Sequence, residues 1–159
     1  MKQRVVNTPV GRLLLAVQAD RLYRIRLAGD HECAADEDAL LDETQRQLAQ
    51  YFAGERQTFA LPLHMEGSAF DCRVWQMLQE IPFGEIRTYG QIAAAIGSSG
   101  ASRAAGGACS RNPLLIVVPC HRVIAGTGKL TGFAAGLAVK QVLLAHEGWK
   151  IEREKIRQK

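Results

Sequence analysis

The sequence predicts an α/β protein of the α+β type: a small N-terminal sheet-and-helix domain over residues 1–66, then a mainly helical domain over residues 67–159 with a helix-turn-helix and a short active-site strand. Three observations carry that prediction. Short alternating apolar segments fill the first part of the chain, as half-buried strands require. Two capping signatures, Ser68-x-x-Asp71 and Thr88-x-x-Gln91, open helices in the second part. Charge divides at the same place: residues 1–66 carry 8 Lys and Arg against 10 Asp and Glu, whereas residues 67–159 carry 12 against 6.

A basic second half suits a nucleic-acid partner, although many ordinary proteins share that imbalance. With 159 residues and 47% hydrophobic content the chain has an ordinary globular composition. It contains neither a run of about eighteen apolar residues nor a signal-peptide core, so no membrane partner is expected. Cys33, Cys72, Cys109 and Cys120 show no CxxC spacing, which argues against a zinc ribbon and for free thiols in the cytoplasm. His31, Cys33 and His64 match no common ligand spacing, and no metal is expected.

In chain order, Arg4–Val6 and Leu13–Val17 flank the turn-rich stretch from Asn7 to Gly11 and predict a hairpin. Tyr23, Ile25 and Leu27 alternate with Arg24 and Arg26, predicting a third strand with the first three turned inward. Acidic residues Asp36 to Asp38 open a helix on which Leu41, Thr44, Leu48 and Tyr51 recur at helical spacing, ending at Gly54. Thr58–Leu61 suggests one more edge strand.

Gly67 marks the boundary. The helix that Ser68 opens has an apolar stripe of Phe70, Val74, Met77 or Leu78, and Ile81, with Cys72 and Trp75 as packing residues. The helix capped by Thr88 runs through Ile92 and Ile96 to Gly97. After a Ser- and Gly-rich turn, a second helix from Ala101 to about Cys109 is almost wholly Ala and Gly apart from Arg103. Glycines weaken a helix, so something must come close to that backbone. It is either a neighbouring element or a nucleic-acid groove with Arg103 projecting from a smooth surface.

Asn112-Pro113 breaks this helix and leads into the apolar run Leu114–Val118, which reads as a core strand stopped by Pro119 with Cys120 at its rigid end. In an extended backbone Cys120 and His121 point to opposite faces. A direct thiol to imidazole bond then needs a turn, and otherwise a water relays the proton; the water is expected. Arg122 and His121 are candidates to lower the thiol pKa. The Gly-rich stretch 125–136 reads as a pocket wall, and Leu137–His146 as a helix with Leu143 and Leu144 inward. Glu147 can fold back onto His121, and the charged tail from Ile151 is expected to fray.

Arg103-Ala104-Ala105-Gly106-Gly107-Ala108, Asn112-Pro113, Val118-Pro119-Cys120-His121-Arg122-Val123-Ile124 and Leu143-Leu144-Ala145-His146-Glu147-Gly148 resemble, in order and spacing, the O6-alkylguanine-DNA alkyltransferases (methylated-DNA-protein-cysteine methyltransferases). The resemblance spans about Phe70 to Trp149 and is only general before that. It implies that Cys120 accepts the alkyl group and that His121 is its base through a water, oriented by Glu147. Asn112 would brace the preceding turn, and Tyr89 would displace the target phosphate and donate a proton toward the departing base. Arg103 would fill the gap in the stack, with Ala104 and Gly107 on the DNA-facing helix, while Val123, Phe133, Ala134 and Ala135 line the substrate pocket. The implied partner is double-stranded DNA containing alkylated guanine, bound through the minor groove by a monomer with the base flipped out. O4-alkylthymine would be a secondary substrate. No cofactor is implied, because the substrate is the alkyl donor, and the thioether product has no exit.

One departure stands out. Gly132-Phe133-Ala134-Ala135-Gly136 has Ala135 where the family has the first of two glycines, and the added methyl is expected to alter tolerance for alkyl size. Three other readings fare worse. A damage sensor would lack the acceptor thiol, a helix-turn-helix regulator would need a base-reading helix, and a thiol hydrolase would turn over small esters.

Overall fold

The computed structural model describes residues 1–131, 133 and 135–157, which form two compact units, Met1–Met65 and Glu66–Lys159. In the first, β1 (Lys2–Thr8), β2 (Gly11–Gln18) and β3 (Arg21–Leu27) make an antiparallel sheet in that order. The Thr8 hydroxyl closes the β1–β2 turn by donating to the Gly11 carbonyl at 2.7 Å. Helix α1 (Ala39–Phe52) starts where the Asp38 carboxylate accepts from the Leu40 and Leu41 amides. It packs Leu41, Thr44, Leu48 and Tyr51 against the sheet, as their spacing predicts.

Two expectations fail here, each for a local reason. On β3 it is Leu22 and Ile25 that are fully buried, while Tyr23 and Leu27 are half-buried. A bulge pairs Ala16 with Arg24 and Val17 with Leu22, leaving Tyr23 as the extra residue, so the two-residue alternation breaks. Tyr23 instead stacks on His64, ring centroids 4.7 Å apart. Thr58–Leu61 forms no strand, because a side-chain amide takes the place of a strand partner: Gln47 donates to the Ala60 carbonyl at 3.1 Å and accepts from the Ala60 amide at 2.9 Å.

In the second unit, Ser68 caps α2 (Ala69–Leu78) by accepting from the Asp71 amide, and Val74, Trp75 and Leu78 are buried. Gly67 is required by contact: a β-carbon there would lie 2.6 Å from the Trp75 ring. Gly67→Ala must push a buried indole aside, which at overpacked sites costs ~1–3 kcal/mol. A lowered urea midpoint for this unit, with Trp75 fluorescence altered in the native state, is the expected result.

The two-residue strand β4 (Arg87–Thr88) runs into α3 (Tyr89–Ala95), and both bonds of the predicted capping box form between Thr88 and Gln91. Gly97 takes φ +78° in the turn before α4 (Ser102–Ser110), completing the helix-turn-helix. Packing explains one side of the small-residue helix. Ala105, Ala108 and Cys109 are fully buried, and Trp75 donates its indole N–H to the Ala108 carbonyl at 2.9 Å. Its other side leaves Ser102, Arg103 and Ala104 exposed.

Strand β5 (Val123–Ile124) pairs parallel with β4, and α5 (Leu137–His146) turns Leu143 and Leu144 inward. The tail does not fray within the described residues. It forms a hairpin of β6 (Lys150–Glu152) and β7 (Lys155–Arg157), which holds the loop after β5 through Leu130 N–H to Glu154 O (2.9 Å) and Ile156 N–H to Gly128 O (3.0 Å). Ile151 and Ile156 pack on Ile124, Leu130 and Leu144, and this burial offsets the solvation of the charged neighbours.

Candidate active site

The expected strand before Cys120 is replaced by consecutive turns. Val117 donates to Leu115 O (2.7 Å), Val118 to Leu114 O (3.0 Å) and Cys120 to Val118 O (2.9 Å). Ile116 is held at φ +71°, where a β-branched residue costs ~1–3 kcal/mol. Asn112 supplies the restraint. Its Oδ1 accepts from the Leu114 amide (2.9 Å), and its Nδ2 donates to the Val118 carbonyl (2.7 Å) and the Cys120 sulfur (3.1 Å). Cys120–Arg122 is one 3-10 turn, and β5 follows it, so the short strand leaves the thiol rather than leading to it.

His121 and Glu147 are both buried, with Nε2 2.7 Å from Glu147 Oε2. The same carboxylate accepts from Arg122 Nε (2.8 Å) and Nη2 (3.0 Å) and from the Gly84 amide (3.2 Å). Burial opposes charging the imidazole and lowers its pKa, although Glu147 pulls the other way. The lowering is the direction to expect, because the permanently charged guanidinium already neutralises the carboxylate. For Glu147, burial is the largest influence and raises the pKa. Bonds and charge from His121 and Arg122 together outweigh it and hold the carboxyl well below its usual range. A neutral imidazole donating through Nε2 keeps its Nδ1 lone pair, and Nδ1 has no hydrogen-bond partner among the described residues. The thiol therefore has no direct bond to the ring there.

Two electrostatic expectations are overturned. Arg122 does not serve the thiol: beyond Glu147 it donates to the Ile81 carbonyl (2.7 Å). Nor is the thiol acidified, because burial pushes its pKa up to about 11 against smaller opposing effects of Asn112 and Lys140. Cys120 is thus held as a thiol that needs a base.

Lys140, which sequence reasoning missed, is a cation whose charge acts on the thiol. It is fully buried on α5, and its ammonium donates to Val123 O (2.6 Å), Thr131 O (2.7 Å) and Tyr89 Oη (3.4 Å). The signal was present. Lys140 precedes Leu143 and Leu144 by three and four residues, so the period that turns them inward turns it inward too. Tyr89, the first residue of α3, donates its hydroxyl to Thr131 O (2.6 Å), and burial raises its pKa to about 12.

Of the remaining predicted residues, Arg103 and Ala104 are exposed on α4. Gly107 is half-buried beneath the Arg111 guanidinium, which pairs with Asp71 at 2.8 Å. Val123 and Phe133 are buried, Ala135 is half-buried, and Ala134, like Gly132, lies outside the described residues. Cavities of about 460 and 280 Å³ open between α2 and α3, and neither is lined by Cys120, which is only 1% exposed. Among the described residues no group of His, Cys, Asp or Glu side chains could hold a metal, and no helix is long and apolar enough to cross a membrane.

Residues 69–149 match the family model of the 6-O-methylguanine DNA methyltransferase DNA binding domain, and residues 1–65 match that family's ribonuclease-like domain. The chain belongs to the 6-O-methylguanine DNA methyltransferase family. Within it, the methylated-DNA–protein-cysteine methyltransferase of Methanosarcina acetivorans is 45% identical over 150 residues, covering 91% of this chain and 96% of that one. The constitutive enzyme of Bacillus subtilis is 46% identical over 137 residues, covering 80% and 83%. The crystal structure of Mycobacterium tuberculosis OGT in complex with DNA superposes with a TM-score of 0.84 at 40% identity, covering 92% of this chain and 93% of that one. The methyltransferase family thus spans both units, and the sheet-plus-helix architecture with its helix-turn-helix is the family's.

Proposed function

We propose that this chain repairs DNA by direct reversal, transferring the alkyl group of O6-alkylguanine, and secondarily of O4-alkylthymine, to Cys120. The observation that carries the reading is a buried thiol, bonded to Asn112, beside a neutral histidine whose Nε2 is fixed on Glu147 and whose Nδ1 is free to accept a proton. A bridging water carries the thiol proton to Nδ1. The sulfur attacks the alkyl carbon, the carbon–oxygen bond breaks, and its electron pair passes into the guanine ring. One proton leaves the thiol and one is taken up by the base, so the products are a thioether and neutral guanine. Tyr89 donates toward the departing base, and at about 12 its pKa keeps the phenol protonated for that task.

Cys120 is too deeply buried to meet a base in the stack, so the nucleotide is flipped out, at a cost of ~2–4 kcal/mol that damage reduces. Arg103 fills the gap, and α4 lies in the minor groove with Ala104 and Gly107 admitting the backbone; Tyr89 displaces the target phosphate. Val123, Phe133 and Ala135 form the pocket wall. In this reading residues 67–159 are the DNA-binding and alkyl-acceptor domain, residues 1–66 a separate sheet-and-helix domain, and the protein works as a cytoplasmic monomer without a cofactor.

A thioether is a poor leaving group, and the reaction ends with the protein spent. Incubation with a molar excess of duplex containing O6-methylguanine should remove lesions in one burst and then stop at one per protein molecule. Continued removal past that ratio would refute an irreversible acceptor.

A further inference from the structure

The pocket loop and the tail hairpin meet edge to edge, and their meeting sets two lysines side by side. Lys129 is bridged antiparallel to Lys155. The flanking bonds, Leu130 N–H to Glu154 O at 2.9 Å and Ile156 N–H to Gly128 O at 3.0 Å, make this a non-hydrogen-bonded pair. That is the pairing that brings opposite side chains closest, with β-carbons ~4.5–5.5 Å apart. Leu130 and Ile156 turn into the core with Ile124 and Leu144, so their neighbours Lys129 and Lys155 point the other way and are exposed. Among the described residues neither ammonium has a hydrogen bond or an ion pair. Glu152 stands opposite Lys155 on its other side, across β6 and β7, so the row of Lys129, Lys155 and Glu152 keeps one positive charge in excess.

Like charges directly opposite each other weaken a sheet. The hairpin that brings Lys155 there is also built on strain, because it turns at Arg153 and Glu154, which hold φ +52° and +59° in the left-handed region that favours glycine. An arrangement that folding alone disfavours suits an anion held between the two ammoniums. The loop decides which anion is in reach. Lys129 is two residues from Thr131, at most ~7 Å along an extended chain and on the same side of it. The Thr131 carbonyl is bonded to Tyr89 Oη at 2.6 Å, and Tyr89 is the residue assigned to the displaced phosphate.

We propose that Lys129 and Lys155 form a phosphate site for the DNA strand that carries the lesion, filled when the alkylated nucleotide is flipped out. The site extends the DNA contact from the helix-turn-helix to the pocket loop and the tail. It rests on the reading of Tyr89 and of base flipping, and the test separates the two. Affinity is measured for the whole chain carrying Cys120→Ala, so that the lesion persists, on duplex with and without one O6-methylguanine over a range of salt concentrations. Lys129→Gln with Lys155→Gln weakens binding to the lesion duplex by ~10-fold, the loss of charge-assisted bonds to one phosphate, and lowers the slope of log K against log salt by ~0.9. Undamaged duplex, whose nucleotide stays in the stack, loses no more than about threefold. Arginine at both positions keeps the charge and the affinity. The urea midpoint holds or rises, because a repulsion has been removed. Equal losses on both duplexes would overturn the proposal. So would the same loss from Lys2→Gln with Arg24→Gln, an equal change of charge at exposed sheet residues of the first unit, since the lysines would then act only through general attraction. Unchanged affinity and slope overturn it as well, and so does a lowered midpoint, which would make the lysines part of the fold. If the Cys120→Ala parent binds both duplexes alike, the flipping reading fails before any lysine is changed, and the site falls with it.

Discussion

Glu147→Gln is expected to cost the second unit a large part of its stability margin and to slow alkyl transfer sharply. The carboxylate accepts from Arg122, His121 and the Gly84 amide, all in a buried setting. An amide of the same shape presents N–H to at least one of those donors and removes the counter-charge of a buried guanidinium. Breaking a buried pair in this way costs ~3–5 kcal/mol, against a total of ~5–15 kcal/mol for a typical domain. Chemical denaturation should show the loss, and any folded fraction should alkylate at least ~10²-fold more slowly because His121 has lost its orienting partner. Wild-type stability and rate in this variant would mean that Arg122 and His121 are solvated.

The same pair sets the response to acid. Burial lowers the folded pKa of His121, so between that value and the unfolded value of ~6.5 the unfolded chain binds the extra proton. From this group, stability is fully present above pH ~6.5 and falls as pH drops below it. Glu147, also depressed on folding, adds a second loss as pH falls below ~4.3 toward its folded pKa. Urea midpoints that decline from pH 7 to 5 are the expected result. A rise over that range would indicate an imidazolium in the folded protein.

Asn112→Ala is the second change with a large expected effect. It leaves the Leu114 amide without its buried partner, at ~1–3 kcal/mol, takes from the Val118 carbonyl one of the two donors it has, and frees the sulfur from its amide donor. With the restraint gone, the turn can relax Ile116 out of φ +71°, and that movement carries Cys120 with it. A misplacement of about 1 Å at a reacting atom costs ~10²-fold in rate. Thermal unfolding and single-turnover alkylation should therefore fall together. A variant that melts early yet alkylates at the wild-type rate would show that the turn holds the fold without aiming the sulfur.

Elements with a local cause were legible in the sequence. Asp38, Ser68 and the Thr88–Gln91 pair all cap the helices they announce, because capping depends on residues three apart and little else. Cys120, His121 and Glu147 were singled out by type and adjacency, and folding joins the last two at 2.7 Å. What escaped depends on partners distant in sequence. The run Leu114–Val118 is apolar enough for a core strand, and the Asn112 side chain together with local backbone bonds makes it a turn. Arg122 beside a thiol looks like its cation until Glu147, 25 residues away, claims it. The tail is charged, and its hairpin becomes readable only when Ile151 and Ile156 meet Leu130.

The central claim is that the Cys120 sulfur takes the alkyl group and keeps it. The most direct measurement is the intact mass of the protein before and after incubation with duplex containing a single O6-methylguanine, beside a Cys120→Ala control. One methyl gained per lesion lost, on the wild type alone and mapped to the peptide holding Cys120, is the predicted result. Loss of the lesion without a gain in mass, or a methyl gained by Cys120→Ala, would contradict it.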